Sequence, residues 1–262
     1  MYDLEQIMQL DIDYMKKIST IELCKEGAFA YNQALPNYYD ANHAHIWRKI
    51  ADPATFLQNI KDFYQTNSLI PRLYLYNLED NPSCIKALEK HGFQYEYFID
   101  NIQCWNSEYA PLTPNSAIQI ERVTDANMEE ALAVEMSITT FGEPSLIQQA
   151  FTQTYRSPHF TYYLLRLEGK ACCSANIFVS GNQGRVESVA TIEGYRGRGL
   201  IGYMLRHIQQ QSVEWGLKHL WILPINEQVA KVYHRANFKS VGKIASIHAF
   251  TEGKSLQEIR QI

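Results

Sequence analysis

Gly194-Tyr-Arg-Gly-Arg-Gly-Leu-Ile-Gly202 joins a strand-like run, Arg185–Ile192, to a helix-like run, Gly199–Leu217. Leu200, Ile201, Met204, Leu205 and Ile208 recur at the 3–4 spacing of one helix face. Gly197, Gly199 and Gly202 sit where the chain must turn tightly and start the helix. Glycine admits positive φ and lets a ligand approach the backbone. A helix start offers unpaired N–H groups and the positive end of the helix dipole. Together these features suit a diphosphate. Arg196 and Arg198 place charge beside it.

The surroundings limit which phosphate-binding turn this is. A Walker loop needs Gly-Lys-Ser/Thr, which is absent. A dinucleotide-binding turn follows the first strand and leads into parallel βαβ units. Here the loop comes late. Upstream, Phe160–Leu167 and Ala171–Ser180 flank Glu168-Gly-Lys170 and read as a hairpin. Before them come a short strand, Ala117–Arg122, and a helix start with Thr124 as the expected N-cap. Downstream, His219–Pro224 reads as a strand, Glu227–Ala236 as a helix and Phe238–Phe250 as closing strand. The order is β-αα-ββ-β-α-β-α-β.

From about Ala117 to Phe250 this pattern resembles the GNAT superfamily of N-acetyltransferases. The resemblance rests on Arg196-Gly-Arg-Gly199-Leu-Ile201, similar to that family's Gln/Arg-x-x-Gly-x-Gly/Ala signature, with Ile201 where Gly or Ala is usual. Asn226 and Tyr233-His-Arg-Ala-Asn-Phe238 resemble its Asn, Tyr and Gly-Phe positions, with Asn237 in place of Gly. The resemblance implies an α/β fold: a mixed, mostly antiparallel sheet flanked by helices. It also implies acetyl-CoA as co-substrate and transfer of its acetyl group to a primary amine of a small molecule or peptide. Acetyl-CoA would lie against Val189, Ala190, Thr191, Arg196, Gly197, Arg198, Gly199, Leu200, Ile201, Gly202 and Asn226. Asn226 also opens a helix and could be a simple N-cap. Tyr233 stands at the general-acid position. A phenol of pKa ~10 gives its proton to a thiolate of ~8.5 only uphill, so a strengthening hydrogen bond is the expected service. Glu187 shares strand parity with Val189 and Thr191, which would place it on their side of the sheet as a proton relay. The competing readings are a half-buried tyrosine and a carboxylate paired with Arg185. The alternative function is that of a non-catalytic acyl-CoA-binding or interaction protein.

Asn106–Ser116, with two prolines and small polar residues, reads as a linker. It divides the 262 residues into 1–110 and 111–262. The first part carries a faint copy of the second. Aligning Gly92-Phe93 with Asn237-Phe238 sets Leu75 on Leu220, Leu78 on Leu223, Asn81 on Asn226 and Lys86 on Lys231. The same offset sets Leu88 on Tyr233 and the glycine-free Trp47–Thr55 on the Gly-rich loop. The first part is therefore expected to be a degenerate GNAT-like domain with no acetyl-CoA loop.

Composition narrows the rest. Hydrophobic residues make up 46% and charged residues 20%, as in a folded globular chain. The net charge of −4 gives no basic footprint for nucleic acid. No apolar run is long enough for a membrane span, and the acidic, amphipathic start lacks a signal-peptide pattern. A cytoplasmic protein with five reduced cysteines is expected. His43 and His45 alternate on a probable strand with little nearby to complete a metal site, so no metal is expected.

Overall fold

The computed structural model describes residues 4–260. The elements run α1 (Leu4–Ile18), β1 (Thr20–Leu23), β2 (Gly27–Tyr31), β3 (His43–Ile46), α2 (Pro53–Thr66), β4 (Arg72–Leu75), α3 (Pro82–Leu88) and β5 (Gln94–Trp105). They continue β6 (Ile118–Arg122), α4 (Met128–Met136), α5 (Pro144–Tyr155), β7 (Phe160–Leu167), β8 (Lys170–Ser180), β9 (Gln183–Thr191), α6 (Leu200–Glu214), β10 (His219–Ile222), α7 (Glu227–Arg235), β11 (Phe238–Phe250) and α8 (Leu256–Arg260). The described residues contain no helix long and apolar enough to cross a membrane.

The chain forms two compact units. One comprises Met1–Asp11 and Asn101–Lys243, the other Ile12–Asp100 and Ile244–Ile262. The boundary read at 110 from composition is displaced, because the long strands β5 and β11 each contribute residues to both units. Prolines mark the linker, but they say nothing about strand partners far away in sequence.

In the first unit the strand order is β6-β7-β8-β9-β10-β5-β11. β6 through β9 are antiparallel neighbours, β9 and β10 are parallel, and β10 is antiparallel to β5. Glu168 and Gly169 both take positive φ at the β7–β8 turn, as a tight hairpin requires. The sheet has two distinct faces. Tyr163 pairs with Ala175 and meets the His207 ring of α6 at 4.8 Å. That face packs Ala175 and Ile177 against Leu200, Met204, Leu205 and Ile208. Tyr162 pairs with Asn176 and meets Phe151 of α5 at 4.5 Å on the opposite face. One local expectation fails. Thr124 does not cap α4; Asn127 Oδ1 accepts from Thr124 N–H at 2.7 Å, and the helix starts after Asn127.

In the second unit the order is β1-β2-β3-β4-β11-β5, with β3 and β4 parallel. Ala44, Ile46, Leu73, Leu75, Ile247 and Ala249 pack with residues of α2 and α3 on one face. His43, His45, Tyr74 and His248 lie at alternate positions and form a continuous run of ring contacts. The proposed repeat is present as structure: β3-α2-β4-α3-β5 runs in the order of β9-α6-β10-α7-β11, each with one parallel pair.

Candidate active site

The parallel ladder between β9 and β10 covers only Gln183–Val186 against His219–Ile222. β9 continues to Thr191 beyond the last pair. A cavity of about 730 Å³ opens there, lined by β9, the Gly-rich loop, the start of α6 and one side of α7.

The backbone of β9 is irregular at this point. Asn176 pairs with Glu187 and Ser174 with Ala190, so Ser188 and Val189 together oppose the single Ala175. Ser188 has φ 48°, the left-handed region that glycine usually fills in such a bulge. The extra residue resets the alternation. Val189 and Thr191 line the cavity, and Thr191 Oγ1 lies 3.3 Å from Cys173 Sγ. Glu187 pairs with Asn176 and so takes the opposite, α5-packed face. This corrects the parity expectation, which assumed a regular strand. There Glu187 forms an ion pair with Arg185, which also binds Asp11 at 2.6 Å. Burial raises the Glu187 carboxyl, and Arg185 partly offsets the rise.

The loop presents the expected geometry. Gly197 and Gly199 have φ 78° and 73°, and a side chain at either would meet no atom within 4 Å. Both line the cavity with Arg196, Leu200, Ile201 and Gly202. The α6 N-cap is Gly199 itself, so no side-chain acceptor occupies the first N–H groups. Arg196 Nε donates to the Thr191 carbonyl at 3.2 Å. Arg198 turns away, bonding the Gly194 carbonyl at 3.2 Å with its guanidinium 5.3 Å from the Tyr195 ring centre.

Tyr233 reaches the cavity from α7 and is 7% exposed. Burial, and secondly the charge of Glu187, push its phenol well above the ordinary value. Asn226 and Ala190 do not line the cavity. Asn226 caps α7 by accepting from Val229 N–H at 2.9 Å, and Ala190 is buried on the other side of β9. Asn237, at φ 64°, carries out the left-handed turn that glycine would make, and its Nδ2 donates to the Glu108 carbonyl at 3.1 Å.

Sequence reasoning missed one wall. The supposed linker lies along α6: Tyr203 Oη donates to the Thr113 carbonyl at 2.7 Å, and Arg206 bonds the Ala110 carbonyl while stacking 4.6 Å from the Tyr109 ring centre. Ala110, Pro111 and Leu112 thereby enclose the cavity. The Tyr-Ala-Pro-Leu stretch inside an otherwise polar connection was the available signal.

Residues 128–238 match the model of the Acetyltransferase (GNAT) family. No curated protein matches the sequence. Among solved structures, the chain is similar to a GCN5-related N-acetyltransferase from Kribbella flavida, at 17% identity over 97% of each chain and a TM-score of 0.69. It is also similar to a functionally unknown conserved protein from Staphylococcus epidermidis, at 11% identity over 90% of this chain and 95% of that one, TM-score 0.71. A GCN5-related N-acetyltransferase-like protein from Streptococcus suis matches at 13% identity over 93% and 96%, TM-score 0.56. At these identities the structures carry the fold. The family match spans β9, the Gly-rich loop, α6 and α7, the elements that supply most of the cavity's lining.

Proposed function

We propose that the protein transfers the acetyl group of acetyl-CoA to a primary amine of a small molecule or peptide. The observation that carries this reading is the convergence on one cavity of the unpaired end of β9, the glycine-lined start of α6 and the Tyr233 phenol. The residues fit the co-substrate: open space at Gly197 and Gly199, free helix N–H groups and Arg196 suit a diphosphate. Bound there, acetyl-CoA supplies an activated acyl carbon.

The chain's own residues then do three things. The loop and α6 N-terminus anchor the diphosphate, which removes much of the entropic barrier to bringing acyl group and amine together. The β9 backbone at Val189 offers a fixed donor to the carbonyl oxygen as negative charge develops on it. Tyr233 donates a hydrogen bond to the departing sulfur. Because its phenol holds its proton more tightly than usual, the service is a hydrogen bond and not full proton transfer. The amine must also lose a proton. Glu187, on the face of β9 away from the cavity and ion-paired with Arg185, is not placed to take it directly, so the acceptor we assign is solvent water.

Release of CoA thiol, followed against a panel of primary amines, tests this reading. Amine-dependent release is expected. Tight acetyl-CoA binding with no amine-dependent release across the panel would make the protein an acyl-CoA binder instead.

A further inference from the structure

Behind the cavity, on the α5-packed face of the sheet, lies a polar cluster that the chemistry above does not use. Glu135, on the underside of α4, is 7% exposed. Its Oε2 has no protein partner, and the Ser188 side chain is the neighbour that offsets part of the burial of its carboxyl. Ser174 and Asn176, on either side of the bulge on β8, are 0% and 2% exposed, and Ser174 Oγ and Asn176 Oδ1 also lack partners. A charged group is rarely placed in such a setting without a cation. Burial pushes the Glu135 carboxyl up to about 8, so at neutral pH it is mostly an uncharged acid, able to donate as well as accept.

That neighbour matters. Ser188 is a non-glycine residue held at φ 48°, which costs of itself and persists only where neighbours over-determine it. The next residue, Val189, lines the cavity. We infer that Glu135 is a positioning residue: its carboxyl holds the Ser188 bulge in place and so fixes the direction in which the Val189 backbone faces the cavity. The catalytic meaning of this clamp rests on the acetyl-CoA reading; the clamp itself does not.

Two arms separate the two. In the free full-length chain, amide hydrogen exchange is followed by NMR for the parent, Glu135→Leu, Glu135→Gln and Ser188→Ala. Exchange at Ser188–Ala190 should speed up about tenfold or more in Glu135→Leu and Ser188→Ala, with β7 amides unchanged, and Glu135→Gln should resemble the parent. Unchanged exchange at Ser188–Ala190 in both Ser188→Ala and Glu135→Leu overturns the clamp, whatever the protein binds. If Glu135→Leu does not fold, Ser188→Ala decides. In the second arm, CoA and acetyl-CoA are added. The Val189 amide resonance should respond to the acetyl group beyond its response to CoA in the parent and in Glu135→Gln. That acetyl-specific response should be lost in Ser188→Ala while CoA affinity stays within about threefold. An acetyl-specific shift that survives in Ser188→Ala counts against the clamp's role at the thioester. A parent that binds neither compound overturns the acetyl-CoA reading alone.

Discussion

Asn81 and Asn226 each open the helix that follows the parallel strand pair of their own unit, yet only Asn226 caps its helix. Asn226 Oδ1 accepts from Val229 N–H three residues on. Asn81 Oδ1 instead accepts from Ile50 N–H at 2.8 Å, and its Nδ2 donates to the Arg48 and Asn77 carbonyls. The amide of Asn81 thus ties down the segment that stands where the Gly-rich loop stands in the other unit.

The same segment ends at a helix start already occupied. Asp52 caps α2, its carboxylate accepting from Thr55 N–H at 3.2 Å and from the Thr55 hydroxyl at 2.7 Å, with Pro53 removing one donor. These bonds lower the Asp52 carboxyl, so a negative charge sits where a diphosphate would have to bind. Leu88, in the place of Tyr233, is fully buried and has no proton to give. We therefore expect one acetyl-CoA per chain. Calorimetric titration should give a stoichiometry near one; two equivalent sites would contradict this account of the first half.

Gly199→Val tests the loop. At φ 73° an L-residue costs about 1–2 kcal/mol, and more when β-branched, but no packed atom stands in the way. The side chain would project from the cavity wall. Acetyl-CoA affinity should fall by about 100-fold or more, roughly 3 kcal/mol, while the melting temperature drops only a few degrees. Parent-like affinity in the folded variant would remove the diphosphate from this loop.

Tyr233→Phe removes one hydroxyl and little volume. If that hydroxyl serves the leaving sulfur, turnover should fall roughly 10²–10⁴-fold with acetyl-CoA affinity nearly unchanged. Steady-state rates at saturating acetyl-CoA, with a direct binding measurement, separate the two quantities. Parent-like turnover would return Tyr233 to a packing role.

Much of this was legible because local chemistry announces itself. Glu168-Gly-Lys170 marks a hairpin, and Gly197 and Gly199 mark positive φ at a helix start, since few other residues go there willingly. Three features were not legible, for separate reasons. Thr124 and Asn127 are both competent caps, and only the turn that Asn127 closes decides between them. The bulge at Ser188 has no glycine to signal it; its neighbour Glu135 belongs to a distant helix, and strand parity misplaced Glu187 as a result. The strand order joining β5 to β10 and β11 to β4 depends on contacts between residues over a hundred positions apart, which no periodicity encodes.

Glu135 also gives a prediction for stability that needs no ligand. Its carboxyl titrates at about 8 in the folded chain against an ordinary value of 4.5, and burial is the cause. Below pH 4.5 both folded and unfolded chains hold the proton, and nothing is lost. Between 4.5 and 8 the unfolded chain releases it while the folded chain keeps it, so stability falls as pH rises through that window, by roughly 5 kcal/mol at most. Other groups on the packed elements titrate as well. Glu187 on β9 is raised too, but is paired with Arg185, and Glu130, on α4 itself, pairs with Arg166 at 2.6 Å in an exposed site. Comparison with Glu135→Gln cancels their contributions, because the amide cannot ionise. Urea unfolding at pH 5 and pH 7.5 should show the parent losing stability relative to Glu135→Gln by a few kcal/mol over that interval. If the two proteins keep the same difference at both pH values, the Glu135 carboxyl is ionised in the folded chain.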